Sequence, residues 1–367
     1  MSNDSDKAYF RAPRVWVQIN GALVNSVLHV DMTNSGSCKS SRFELTVSTN
    51  VDKISNQWLD LIDGKVTVQI FMRSEWLGND IMAFEGLADN IAIDSINRTA
   101  RILGRDYSSV LINSMHQSAF CNQTASEIAN CIAARHGFSS NILRTETMIG
   151  SYQCGGYNQV LLNAHSRIVN EWELLVHLAI SEGFELFIDG TTLVFAPSNS
   201  LPSINAVIDV SNVIGMKFYK NCPSSNQTTL TVKSWNSWLN ETLLHTDDQS
   251  SDQAVPSIGR NNDPGSAIAI VRPNLNPQSA ERLAKRHIDA LNEQELNVHI
   301  VMAGDMSLSP RDVLTVSGSG SSFDDIYIVR SVRRYFSSTS GFTQHIQAFT
   351  TKGNFAPPFG NQASFNG

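Results

Sequence analysis

Two segments of this 367-residue chain carry the same strand plan. The first runs Asp63-Gly-Lys-Val-Thr-Val-Gln-Ile70, then Phe84-Glu-Gly-Leu-Ala-Asp-Asn-Ile-Ala-Ile93, then a polar turn and Thr99-Ala-Arg-Ile-Leu103. The second runs Arg311-Asp-Val-Leu-Thr-Val-Ser317, then Ile326-Tyr-Ile-Val-Arg-Ser-Val332, then Gly341-Phe-Thr-Gln-His-Ile-Gln-Ala-Phe349. Apolar and polar residues alternate along each run, the pattern of antiparallel strands with one face in a core. The likeness is one of plan rather than identities. It predicts two similar small β-barrels in one chain. Such a duplication suits the building of a pseudo-symmetric ring better than the turnover of a substrate.

The rest of the chain divides around these segments. Residues 1–8, polar for the most part, are expected to form a flexible N-terminus. Val15-Trp-Val-Gln-Ile19 and Ser26-Val-Leu-His-Val-Asp-Met32 flank Asn20-Gly21 and read as a hairpin. A Ser- and Gly-rich loop follows to Ser41, then the strand Phe43-Glu-Leu-Thr-Val47 and a short helical stretch at Gln57-Trp-Leu-Asp-Leu-Ile62. The first barrel is expected over 9–106. Thr124-Ala-Ser-Glu127 is a capping box, in which hydroxyl and carboxylate satisfy the free amides of a helix start. Gly137 stops that helix, with His136 a favourable cation at its C-terminal end. Asn170-Glu-Trp-Glu173 starts a second helix that Gly183 closes, and Phe184 to Phe195 reads as a hairpin about Asp189-Gly190. Residues 107–206 are therefore expected to form a middle α+β domain. The second barrel is expected over 207–350, with strands at Gly215-Met-Lys-Phe-Tyr219 and Thr229 to Trp235, an exposed loop over 236–262, and a helix at 277–291. The fold class is mainly β with an α+β insertion. The tail, 351–367, is apolar yet broken by Pro and Gly. Its Phe355, Pro357, Pro358, Phe359 and Phe365 are the candidate contacts with a partner chain.

Composition narrows the function classes. At 41% hydrophobic and 17% charged the chain can bury ample core. No apolar run reaches the roughly 20 residues of a membrane span. Met1-Ser-Asn-Asp-Ser-Asp-Lys7 lacks the basic and apolar regions of a secretory signal, so synthesis in the cytosol is expected. The five cysteines, Cys38, Cys121, Cys131, Cys154 and Cys222, are widely spaced, which speaks against a disulfide framework or a structural zinc site. A net charge of −7 repels a polyanion, so a protein that grips nucleic acid is disfavoured, whereas one that lets DNA slide past is not.

The chain has no His-Glu-x-x-His, Gly-x-Ser-x-Gly, phosphate loop or dinucleotide fingerprint. Gly318-Ser-Gly-Ser-Ser lacks the Lys and following helix of a phosphate cradle and reads as a hairpin loop. His165 and His177 lack ligand spacing, and His177 next to Glu173 at i−4 reads as a charge pair or solvated face. Asp324-Asp325 and Asp247-Asp248 read as loop residues, not as carboxylates facing across a sugar. No catalytic residue, cofactor or metal is expected.

Taken together, Gly104-Arg-Asp106 leading to the capped helix that ends at His136-Gly137, Asn170-Glu-Trp-Glu-Leu-Leu175 through Glu182-Gly183 and its hairpin, the helix from Ala280 to Leu291, and Val313 to Val332 with Gly341-Phe-Thr343 resemble the phage late control D / VgrG-type tail hub family. These motifs span most of residues 10–350 in the family's order. The resemblance implies a homotrimer in which two barrels per chain form a pseudo-sixfold ring. Such a ring adapts a sixfold tail tube, or distal tail ring, on one face to a threefold central spike on the other. It implies a place in the virion tail, DNA passing through without specific binding, and a ring wall expected to be neutral to acidic. Any spike or lytic domain would be a separate chain. A tail-associated cell-wall-degrading enzyme and the hub of a bacterial injection or secretion system are the alternatives.

Overall fold

The computed structural model describes residues 13–49, 58–60, 62, 64–73, 80–115, 119–146, 149, 151–152, 160–163, 170–220, 227–236, 241–250, 266–271, 280–281, 283–285, 287 and 296–350. The first group of strands is β1 (Arg14–Ile19), β2 (Ala22–Val24), β3 (Val27–Ser35), β4 (Arg42–Ser48), β5 (Thr67–Arg73), β6 (Asp80–Asp94) and β7 (Thr99–Arg105). They pair antiparallel in the order β2-β1-β5-β6-β7-β4-β3. The alternation read from the sequence becomes burial. Val30 and Met32, Phe43, Leu45 and Val47, Val68, Ile70 and Met72, and Ala100 and Ile102 all enter one core with Trp58. Each fully buried Val, Leu, Ile, Phe or Met among them stabilises the fold by roughly 1.5–3 kcal/mol.

Asn20 and Gly21 have φ of 46° and 81°, the left-handed pair that a two-residue hairpin turn demands. The returning strand, however, is the three-residue β2. The longer run expected to return, β3, pairs instead with β4. Ser26 makes the crossing: its carbonyl accepts from the Ser48 N–H at 2.8 Å and its hydroxyl donates to the Ser48 carbonyl at 2.7 Å. The 15-residue β6 serves two neighbours, β5 along its first half and β7 along its second. Where it changes partner the backbones nearly touch. A Cβ at Gly86 would lie 2.1 Å from the Arg105 carbonyl oxygen, and one at Gly104 2.2 Å from that of Leu87. Only glycine fits that crossing.

The middle of the chain holds α1 (Ser108–Ile112), β8 (Ala119–Cys121), α2 (Ala125–His136), β9 (Ser139–Ile142), β10 (Ser151–Tyr152), β11 (Val160–Asn163), α3 (Glu171–Glu182), β12 (Glu185–Asp189) and β13 (Thr192–Ala196). The expected caps are present. The Glu127 N–H donates to Thr124 Oγ1 at 3.3 Å, the Thr124 N–H to Glu127 Oε2 at 2.9 Å, and the Glu173 N–H to Asn170 Oδ1 at 2.8 Å. Gly137 and Gly183 close α2 and α3 in left-handed conformation. Ile128, Ile132, Trp172, Leu175, Leu178, Leu186 and Phe195 form a second core.

The remaining strands are β14 (Asn205–Asp209), β15 (Gly215–Lys220), β16 (Gln227–Asn236), β17 (Glu241–Ser250), β18 (Ser266–Val271), β19 (Leu296–Ala303), β20 (Val313–Ser317), β21 (Ile326–Ser337) and β22 (Gly341–Phe349). A third core gathers Val298, Ile300, Leu314, Val316, Tyr327, Val329, Val332 and Ile346. The two duplicated segments share their pairing: β5-β6-β7 and β20-β21-β22 are both antiparallel meanders.

Two closed barrels were expected, but among the described residues no pairing closes either group into a ring. The groups are instead joined edge to edge. After a bulge between Val329 and Ser331, β21 leaves β20 and pairs with β3, while β22 runs along its other side. The result is one 13-stranded sheet spanning both halves of the chain.

The exposed loop expected over 236–262 is corrected in part, because residues 241–250 form β17 and pair with β16. An edge strand takes its backbone bonds from its neighbour and needs no apolar alternation, which is why so polar a run hides it. Asp247 and Asp248, read as loop residues, are strand residues. With β18 this small sheet packs Leu230 and Val232 against Ala280 and Ala284, which are helical as expected for that segment.

Candidate functional site

The residues tested for catalysis are not brought together. Asp324 caps its own loop, accepting from the Ser319 N–H at 3.1 Å and the Gly320 N–H at 3.3 Å. Bonds from Ser319 hold its carboxyl below the usual range. Asp325 accepts from the Ile326 N–H at 2.7 Å. Residues 318–325 link β20 to β21, so the Gly-rich run is a hairpin loop. His136 does more than sit at a helix end: with Arg135 it holds Glu171, which is 3% exposed, and so ties the end of α2 to the start of α3. His165 lies outside the described residues, as do Phe355, Pro357, Pro358, Phe359 and Phe365. No metal-holding cluster of His, Cys, Asp or Glu occurs among the described residues, and no helix there is long and apolar enough to cross a membrane.

The joined sheet is where the chain concentrates unusual chemistry. Eight strands run in the order β6-β7-β4-β3-β21-β22-β19-β15. Apolar positions enter the cores, and the alternate positions on the other face are mostly polar, with Ala92, Leu103 and Val301 as apolar exceptions among them. Strand positions on that face carry Arg42, Arg101, Arg105, Lys217, Arg330 and Arg333 against Asp31, Glu44, Asp89 and Asp94. Three of the cations are matched. Arg101 Nε donates to Glu44 Oε1 at 2.7 Å, Arg105 clasps Asp89 with bonds of 2.7 and 2.8 Å, and Arg333 Nε donates to Asp31 Oδ1 at 2.8 Å. Two stretches of edge are unpaired among the described residues: β15 pairs only with β19, and the second half of β6, beyond its pairing with β5, only with β7. Exposed edges of this kind are templates for another chain.

Buried polar contacts hold the halves together. Arg334, 3% exposed, donates from β21 to the Asp305 carbonyl at 2.9 Å, to Asn34 Oδ1 on β3 at 3.2 Å and to the Leu308 carbonyl. Burial lowers its pKa to about 10. Asp106, in the Gly104-Arg-Asp106 run, accepts from the Ser41 N–H at 2.7 Å, the Ser40 hydroxyl at 3.1 Å, and both the N–H and the hydroxyl of Ser108. Burial pushes its carboxyl up despite those bonds. Arg311 stacks on Phe187 of β12 with its guanidinium carbon 3.7 Å from the ring centre. The middle segment is thereby fastened to both strand groups.

The sequence resemblance extends to three-dimensional likeness. The chain is similar to a tail protein from Neisseria meningitidis MC58, with a TM-score of 0.66 and 13% identity over 92% of this chain and 97% of that one. It is similar to a 43 kDa tail protein of prophage MuSo2 from Shewanella oneidensis, with a TM-score of 0.63 and 14% identity over 93% and 99% of the two chains. An E. coli component of the type VI secretion system gives a TM-score of 0.55 and 13% identity over 91% and 76%. No protein-family model and no curated protein sequence matches the chain. It shares the fold of phage tail proteins and of a type VI component, as the resemblance implied.

Alternating charges along β3, β4, β7 and β21 were visible in the sequence as outward positions. Their meeting on one face was not, because it depends on β3 pairing with a strand some 300 residues later.

Proposed function

We propose that this chain is a structural subunit of a tail baseplate hub, three copies forming a pseudo-sixfold ring around a channel. The supporting observation is the joined sheet, two strand groups fused edge to edge, with unpaired edges among the described residues at β15 and along the second half of β6. Contact between β15 of one copy and β6 of the next is head to tail, and such contacts build rings when the rotation closes. Each copy supplies two of six positions, one from residues 9–106 and one from 207–350, with 107–206 as a middle domain. The polar face of the joined sheet then lines the channel. Its strand positions carry both signs, Arg42, Arg101, Arg105, Lys217, Arg330 and Arg333 with Asp31, Glu44, Asp89 and Asp94. Tail tube or distal ring on one face and spike on the other complete the assembly in the virion tail. Likeness to a type VI component supports the same ring role in a secretion system as the second reading.

Cysteine pairs test the ring directly. In a background without the native cysteines, a series of single cysteines along β15 combined with Asn90→Cys or Ala92→Cys on β6 is oxidised in the assembled protein. Crosslinked species ending at three chains are expected. Absence of any intermolecular crosslink along the series, in a preparation that is oligomeric, would exclude this edge contact.

A further inference from the structure

At the seam where β3 meets β21, a groove of about 390 Å³ opens between Lys39, Arg42 and Arg330, with Thr33, Ser35, Ser40, Ser331 and Gln347 completing its lining. It has three cations and no carboxylate, in a chain of net charge −7. Elsewhere on this face arginines are neutralised one by one, Arg101 by Glu44, Arg105 by Asp89 and Arg333 by Asp31. Among the described residues Lys39 and Arg42 have no such carboxylate. Arg42 sits directly across from Arg105 in the β4–β7 register, but Asp89 is committed to Arg105 through two bonds. Arg330 lies against the Phe349 ring, 4.7 Å from its centre, which fixes its guanidinium plane at the groove. The bulge that sets this arginine apart lies between Val329 and Ser331, and Gly36 braces it by donating to the Arg330 carbonyl at 2.9 Å. The positive field reaches the next strands. Burial, then the charges of Arg330 and Lys217, hold His299 below the ordinary imidazole value.

Two planar guanidinium groups, an ammonium and the Thr33 and Ser35 hydroxyls around one concavity are a donor set suited to phosphate oxygens. We propose that the seam groove is a phosphate-binding site, taking the phosphodiester of a nucleic-acid strand or a free phosphate group. Contact of this kind is to the backbone and carries no base information, so it is compatible with strand passage without sequence preference. The proposal stands on the groove itself and does not require the ring.

Binding of a fluorescent oligothymidylate to the full-length protein at low salt, followed by anisotropy, reads the site out. Saturable binding is expected. Arg42→Gln and Lys39→Gln should each weaken it about tenfold, the effect of losing about 1.4 kcal/mol. Each should also make the logarithmic salt dependence shallower by roughly 0.7. Lys217→Gln, outside the groove, should leave affinity within twofold. Displacement of the oligonucleotide by millimolar inorganic phosphate would identify a free phosphate as the ligand. Resistance to phosphate with displacement by unlabelled oligonucleotide would identify the strand. Equal binding by wild type and both groove variants, or no binding of either probe, would overturn the proposal. So would polyglutamate displacing the probe as well as phosphate does, since the groove would then be a carboxylate site.

Discussion

Glu171 shows how one side chain can join two helices. Burial alone would raise its pKa, but hydrogen bonds from His136 and Ser114 and the charges of His136 and Arg135 outweigh that and hold it below the ordinary 4.5. A carboxylate depressed in the native state contributes stability that is complete above the unfolded value and is lost as pH falls through the native one. Glu171→Gln should therefore cost about 2–3 kcal/mol at pH 7. That is less than the ~3–5 of a fully buried pair, because Arg135 is about one-third exposed. In denaturant titrations the difference between wild type and variant should shrink below pH 4.5; a difference independent of pH would contradict the role given to the charge. Residues whose partners are local were readable in advance. Thr124 with Glu127, Asn170 with Glu173, Gly137 and Gly183 act within a turn of chain, so spacing reveals them. Asp106, Arg311 and Arg334 were opaque in their partners, since Arg334 meets Asn34 across 300 residues.

Elements follow the same division. Strands with a strong alternation, such as β4, β5 and β22, were legible because burial itself imposes the period. β17 was not, because its order comes from β16 rather than from a core. The short β2 was misread because two strands near one turn compete for it and a crossing at Ser26 decides the outcome. The joining of β3 to β21 had no local signature at all, and it is the contact on which the shape of the whole sheet depends. Arg334 supports it from beneath. Replacing it with Leu would leave the carbonyls of Asp305 and Leu308 and the Asn34 amide short of a donor, at about 1–3 kcal/mol for each group that stays dry. Arg334→Leu should lower stability by about 3 kcal/mol in equilibrium unfolding, with increased hydrogen exchange in β3 and β21. A variant as stable as wild type, with unchanged exchange there, would show that backbone pairing alone holds the seam.

For the molecule as a whole, duplication within one chain is what links sequence to assembly. In the proposed ring a chain carrying one strand group would have to supply six copies, whereas two groups fused through β3 and β21 would reduce that to three. We propose the tail with Phe355, Pro357, Pro358, Phe359 and Phe365 as a contact with a neighbouring subunit or tail partner. Deleting 353–367 should leave the unfolding transition of the isolated chain intact while weakening oligomer formation in sedimentation; unchanged oligomers would remove the tail from assembly. The ring itself is tested most directly by the mass of the hub particle, measured by native mass spectrometry on full-length protein alone and with its tail partners. Three chains of 40.4 kDa per particle are predicted. Six chains per particle would contradict the account, because each would then fill one ring position and the fused pair of strand groups would have no role.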